Sequence, residues 1–300
     1  MIRLHCGDMC AVIDEQHGAN CVSLKNDNLG VSIVKEKDTN PYLIGMPVLF
    51  PVNRISSGCF LFEGRTYSFP INEPQTGCHI HGTLHDTPFG VIAQDTCRAV
   101  FRYTATEQHP YLSFPHAFSI TITYCLTAYV LEQTITIQNH SDKNMPVMLG
   151  LHTTFNLPFS KGSHARNCRV RADIGEHYER RLGEDFLPTG HVLSADDVDI
   201  QLTKGDFIPT SKKISRLQRT AGEGIMSITD KKANLCVEYQ NDVKYKFRLL
   251  YNGNADSYIC LEPNTCIANC LNTNIEDNGF DYVEPNSCKQ YTSRIILKRL

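Results

Sequence analysis

Between Phe118 and Thr127 the chain alternates without a break. Phe118, Ile120, Ile122, Tyr124 and Leu126 are apolar or aromatic, and Ser119, Thr121, Thr123, Cys125 and Thr127 are polar or small. A period of two sets one residue class on one face of an extended strand, whereas a helix would scatter it around its axis. The segment therefore predicts a half-buried strand. Thr134 to Gln138 repeats the pattern, with Ile135 and Ile137 on one face, and Asn139 to Asn144 reads as a polar turn. Val147 to Phe155 is a further strand candidate. Val243, Tyr245, Phe247 and Leu249 alternate with Lys244, Lys246 and Arg248. Helical signals are scarce, and only Lys212 to Gln218 predicts one or two turns. Many short strands separated by turn residues point to an all-β sandwich or barrel. No linker, low-complexity tract or charge block divides the chain, which predicts one domain over residues 1–300.

Charge and composition narrow the function. The 300 residues carry a net charge of −3, without the basic footprint of a nucleic-acid binder. No stretch approaches the ~20 apolar residues of a membrane helix. Met1 to Asp14 lacks the apolar centre of a signal peptide, so a cytoplasmic location is expected. The 13 cysteines are odd in number and form no C-x-x-C pair, which predicts reduced thiols acting as small core hydrophobes.

Four segments carry unusual chemistry. One is Asn53-Arg54, followed by the Gly58 to Tyr67 stretch and Asn72-Glu73. Another is His79-Ile80-His81-Gly82. A third runs from Asn139-His140-Ser141 through Met145-Pro146 to Gly150-Leu151-His152-Thr153-Thr154-Phe155-Asn156. The last is Glu262-Pro263-Asn264-Thr265, with Asn269 and Asn272 beyond it. Each has a plain local reading. A lone Arg54 would be a surface ion-pair partner, and a lone His152 in an apolar strand a hydrogen-bonded core residue. On a strand His79 and His81 share a face, as metal ligands do. No carboxylate or cysteine stands at matching spacing to complete a site there, so no metal is expected. Glu262 resists a plain reading. It closes the apolar run Tyr258-Ile259-Cys260-Leu261 just before Pro263, where a carboxylate is costly to bury without a partner and is placed to act as a general base.

Taken in order, the segments resemble the aldose 1-epimerase (galactose mutarotase) family. The resemblance rests on the Asn-Arg pair ahead of Gly-x-Phe-x-Phe-x-Gly-x-x-Tyr, and on His81-Gly82. It extends through Asn-x-Ser…Met-Pro…Gly-x-His-x-x-Phe-Asn, Leu187-Pro188-Thr189-Gly190, and Glu-Pro-x-Thr-x-x-x-Asn, over residues 40 to 272. It implies a large antiparallel β-sandwich with few short helices, a sugar cleft and no cofactor. It also implies interconversion of the α and β anomers of a free aldose such as glucose or galactose. By position, His152 becomes the general acid and Glu262 the general base, while Arg54, His81 and Asn53 bind the sugar. The family's hydroxyl-binding aspartate corresponds best to Asp206, in Lys204-Gly205-Asp206-Phe207.

Two rival functions fit the same scaffold. A hexose-6-phosphate 1-epimerase needs added cationic anchors for its phosphate. Such enzymes tend to carry an arginine soon after the His-Gly, where this chain has Thr83-Leu84-His85-Asp86. A non-catalytic sugar-binding or sensing protein would have no use for a His/Glu pair. A glycosidase wants two carboxylates flanking the bond, and Glu262 stands out alone.

Overall fold

The computed structural model describes residues 1–253 and 255–300. Two eight-stranded sheets, antiparallel throughout, form the body of a β-sandwich. The first runs in the order Gly90–Gln94, Arg98–Ala105, Phe118–Leu126, Val130–Asn139, Cys288–Arg299, Leu235–Asn241, Met226–Asp230, Cys168–Ala172. The second runs Pro188–Leu193, Ile174–Arg180, Ser215–Thr220, Phe247–Tyr251, Tyr258–Asn264, Gly150–Leu151, Val48–Leu49, with Thr153–Asn156 also paired to Tyr258–Asn264. A four-stranded sheet over Ile2–Cys6, Met9–Asp14, Asn20–Asn26 and Val31–Ser32 packs beside them.

Strand formation follows the side chains. Phe118, Ile120, Ile122, Tyr124 and Leu126 are all buried, while Thr121, Thr123 and Cys125 are only half-buried. Phe118 pairs with Asn139 and Leu126 with Leu131, which turns Ile135 and Ile137 into the same core. That core runs from Leu4 to Leu297 and joins the sheets. The Phe155 ring packs against Tyr239 with centroids 5.4 Å apart, and Thr153 Oγ1 lies 2.9 Å from the Tyr239 hydroxyl. Seven of the 13 free cysteines are buried.

Three local expectations need correcting. Lys212 to Gln218 forms no helix; Ser215–Thr220 is a central strand with Leu217 in the core. Among the described residues the α-helix is Asp197–Lys204. Asp196 accepts from the Val198 and Asp199 backbone amides, Asp199 reciprocates, and Gly205 closes the end in the left-handed region. Those caps were readable, but eight residues hold too few apolar positions to show a helical period. The alternation through Val243 also misleads. Asp242 Oδ1 accepts from the Lys244 amide and the strand starts only at Phe247, leaving Val243 exposed. Finally, Val147 to Phe155 is interrupted at His152, and Pro263 lies inside its strand rather than ending it.

A buried glycine directly follows His81, one of the residues lining the cleft described below. Gly82 has φ +62° and bridges to Phe50, whose carbonyl accepts from the Tyr111 hydroxyl; that hydroxyl in turn accepts from the Thr83 amide at 2.9 Å. A Cβ at Gly82 would collide with both the Phe50 carbonyl and the Tyr111 hydroxyl. Gly82→Ala is expected to cost roughly 2 kcal/mol or more of stability in equilibrium urea unfolding. A loss under about 0.5 kcal/mol, the range of ordinary surface substitutions, would show that this turn relaxes freely.

Candidate active site

The site begins with a register. Gly150 pairs with Asn264 and Thr153 with Leu261, which sets His152 opposite Glu262 across the two strands. Directly opposed residues of an antiparallel pair project to the same face, with Cβ atoms about 5 Å apart. Pro263 has no amide hydrogen to give the ladder, and the His152 amide turns away to the Pro47 carbonyl at 3.0 Å. Leu249 pairs with Glu262 from the other side. Leu249, Glu262 and His152 thus form one row across the sheet, and Tyr251, Cys260 and Thr154 form the next.

The row lines a cleft of about 440 Å³, within the range of small-molecule sites. His152 Nε2 lies 3.4 Å from Glu262 Oε1, and both side chains are buried. Burial disfavours each charged form. It raises the Glu262 carboxyl to about 8, against the opposing pull of Arg180 and then Arg54. It lowers the His152 imidazole to about 4. At neutral pH the pair therefore holds one proton and one lone pair. Glu262 Oε1 and His152 Nδ1 are buried and have no hydrogen-bond partner among the described residues.

Arg54 is aimed by Glu73. Its Nε and Nη2 donate to the two carboxylate oxygens at 2.6 and 2.7 Å, and the Thr76 hydroxyl donates to the same carboxylate. The Phe186 ring packs under the guanidinium at 4.7 Å. Arg54 and Thr76 hold the Glu73 carboxyl below its ordinary range, although burial opposes them. Asn53 and His81 lock each other. The His81 amide donates to the Asn53 carbonyl at 3.1 Å, and the Asn53 amide donates to His81 Nδ1 at 3.3 Å. Both residues have φ near +60°. With Nδ1 accepting, a neutral His81 carries its proton on Nε2. Burial, then the neighbouring His152 and Arg54 charges, push the His81 imidazole well below its usual value. The Tyr42 ring lies tilted against His81 with centroids 4.9 Å apart, walling one side.

Five of the six expected site residues line this one cleft: Asn53, Arg54, His81, His152 and Glu262. Asp206 does not. It follows the helix cap and faces solvent, 3.9 Å from Lys231. No aspartate stands among the described residues lining the cleft. His79 and His81 also part company. His79 is fully buried and bonded to the Pro70 carbonyl at 2.7 Å, while His81 leaves the strand in a left-handed conformation.

Two residues that line the cleft escaped the sequence reading. Glu73 was visible beside Asn72, but its partnership with Arg54 spans 19 residues and leaves no local trace. Arg180 sits in Glu179-Arg180-Arg181, which reads as a solvated charge run. In the fold it lines the cleft and donates to the Ser215 carbonyl and hydroxyl, both at 2.7 Å. Burial lowers its guanidinium to about 10.

The family model for aldose 1-epimerase matches residues 1–298. The chain belongs to the aldose 1-epimerase family. Among its relatives is the Escherichia coli protein YihR, 26% identical over 281 residues, spanning 92% of this chain and 87% of that one. A galactose mutarotase-like protein from Clostridium acetobutylicum superposes with a TM-score of 0.91 at 29% identity, over 99% of this chain and 95% of that one. A galactose 1-epimerase from Lactobacillus acidophilus shares the fold at TM-score 0.70 and 16% identity, over 98% and 92% of the two chains. No helix among the described residues is long and apolar enough to cross a membrane.

The Asn53–His81 lock makes a spectroscopic prediction. In ¹⁵N spectra His81 is expected as the Nε2–H tautomer, neutral throughout the ordinary histidine range. An imidazolium signal for His81 at its unperturbed value of 6.5 would contradict the geometry.

Proposed function

We propose that the protein is an aldose 1-epimerase in activity as well as in family, interconverting the anomers of a free aldose such as glucose or galactose. The observation that carries this reading is the buried His152–Glu262 contact at 3.4 Å on the wall of a sugar-sized cleft. Anomerisation needs one donor and one acceptor at the same moment, and such a pair supplies both.

The proton rests on Glu262 in the empty cleft, since burial favours the neutral form of each partner. Transfer to His152, once the 3.4 Å contact shortens to a hydrogen bond, creates a carboxylate facing Arg180 and Arg54, whose charges favour it. Glu262 then takes the proton of the C1 hydroxyl as His152 donates to the ring oxygen. The C1–O5 bond breaks and C1 becomes an aldehyde. Rotation about C1–C2 turns the other carbonyl face toward O5. On closure O5 attacks C1, its proton returns to His152, and Glu262 returns its own to the C1 oxygen. The proton then passes back from His152 to Glu262, and the pair ends as it began. Arg54 and His81 Nε2–H are donors for the ring oxygen and hydroxyls, fixed in advance by Glu73 and Asn53.

A second reading, a hexose-6-phosphate epimerase, has Arg180 on its side. This guanidinium has a backbone carbonyl and a hydroxyl as partners rather than a carboxylate, and so retains charge for an anionic substituent.

NMR of anomer exchange on free and phosphorylated aldoses tests the reading. Free aldoses are expected to turn over without a phosphate. Exclusive turnover of phosphorylated sugars would select the second reading, and sugar binding without acceleration would make the protein a sensor. His152→Ala and Glu262→Gln are each expected to lower kcat by about 100- to 10,000-fold with the circular dichroism unchanged. The pH profile of kcat/KM is expected to be bell-shaped. Its acid limb falls near pH 4, where His152 gains a proton and the pair loses its acceptor. Its basic limb falls near pH 8, where Glu262 loses its proton and the pair loses its donor.

A further inference from the structure

Cys260 takes no part in this proton transfer, yet it stands one row behind Glu262 on the same sheet face. Its thiol lies 3.4 Å from the Thr154 hydroxyl, and it packs under Leu43 and Tyr258. One donor atom each from His152, Cys260 and Glu262 lie within 4.8 Å of one another, and all three residues are buried. An ordinary core cysteine explains the thiol. It does not explain the buried Glu262 Oε1 that has no hydrogen-bond partner on the same side.

We infer that His152, Cys260 and Glu262 form a site for a thiophilic divalent cation, zinc or cadmium, whose binding silences the acid–base pair. Zinc bonds of about 2.3 Å to sulfur and about 2.0–2.2 Å to nitrogen and oxygen put tetrahedral ligands roughly 3.3–3.6 Å apart. The His152–Glu262 separation of 3.4 Å already meets this, so only the Cys260 side chain has to adjust. Ligand softness favours zinc and cadmium, because magnesium and calcium prefer all-oxygen shells. The ligand charges also offset the ion's, although Arg180 and Arg54 face the same carboxylate. A dication with one thiolate and one carboxylate is neutral, which suits a buried position better than either anion alone.

Three protein ligands leave the fourth position open toward the cleft, the entry route for the ion. Ligation uses the lone pairs on His152 Nε2 and Glu262 that would otherwise carry the catalytic proton. The protons displaced are those of the Cys260 thiol and the Glu262 carboxyl, which pass to solvent. No redox change is involved. The binding stands on geometry alone; only the loss of turnover rests on the epimerase reading.

The test is a cadmium titration of the full chain at neutral pH, following thiolate-to-cadmium absorption, with zinc inhibition of anomer exchange in parallel. Wild type is expected to show a tight cadmium–thiolate band, and zinc inhibition that a chelator reverses. Cys260→Ser is expected to lose that tightest band, keep its sugar turnover, and need at least ~10-fold more zinc for the same inhibition. Glu262→Gln, read by the cadmium band alone, is expected to bind about 10-fold more weakly, which covers the case of a Cys260 variant that does not fold. The same tight band in Cys260→Ser, or unchanged zinc sensitivity there, overturns the site. A Cys260-dependent band in a protein that interconverts no aldose keeps the site and removes the epimerase reading. Turnover untouched by zinc does the reverse.

Discussion

Everything at the cleft depends on one cross-strand placement. Because Gly150 lies opposite Asn264 and Thr153 opposite Leu261, His152 and Glu262 meet on a buried sheet face. A slip of one residue would send both to the other side. The sheet tolerates two polar groups here because the ladder is relaxed around them. Pro263 offers no amide hydrogen, and the His152 amide finds Pro47 instead. The desolvation that would penalise two charges at once is what moves the two groups to opposite sides of neutrality.

The cationic side of the cleft divides its labour. Arg54 is clamped by Glu73 and supported by Phe186, so its direction is set before any ligand arrives. Arg180 has softer partners in the Ser215 carbonyl and hydroxyl. It acts on Glu262 through charge, the larger of the two pulls that oppose burial there. One arginine is thus a positioned donor, and the other sets the electrostatic background.

The strands with one apolar face were legible because burial on one side imprints a period of two, as in Phe118–Leu126. The cleft residues were legible only as an ordered set. His152 and Glu262 sit among Leu151, Thr153, Leu261 and Pro263, where nothing local separates a catalytic histidine from a bonded core one. Asp206 failed because its short flanking match fell at the end of a helix that carries it to the surface. Arg180 and Glu73 were hidden by the opposite error. Neither was assigned a role, because a polar cleft, unlike a core, leaves no hydrophobic pattern in the segments that line it. The short helix Asp197–Lys204 was missed because only its caps mark it, while Lys212 to Gln218 carried lysines and a glutamine that suit an exposed helix as well as the approach to a strand.

The strand Cys288–Arg299 lies in the middle of the first sheet, between Val130–Asn139 and Leu235–Asn241. During synthesis that gap stays open until nearly all of these 300 residues have left the ribosome. The half-sheets on either side meanwhile present unpaired edges, a template for pairing with other chains. Closure then requires contacts between segments about 160 residues apart, which is slow because loop entropy is lost before the contacts form. The nascent protein thus passes through an interval of exposed edges, in which a chaperone that covers them would raise the yield of folded chain.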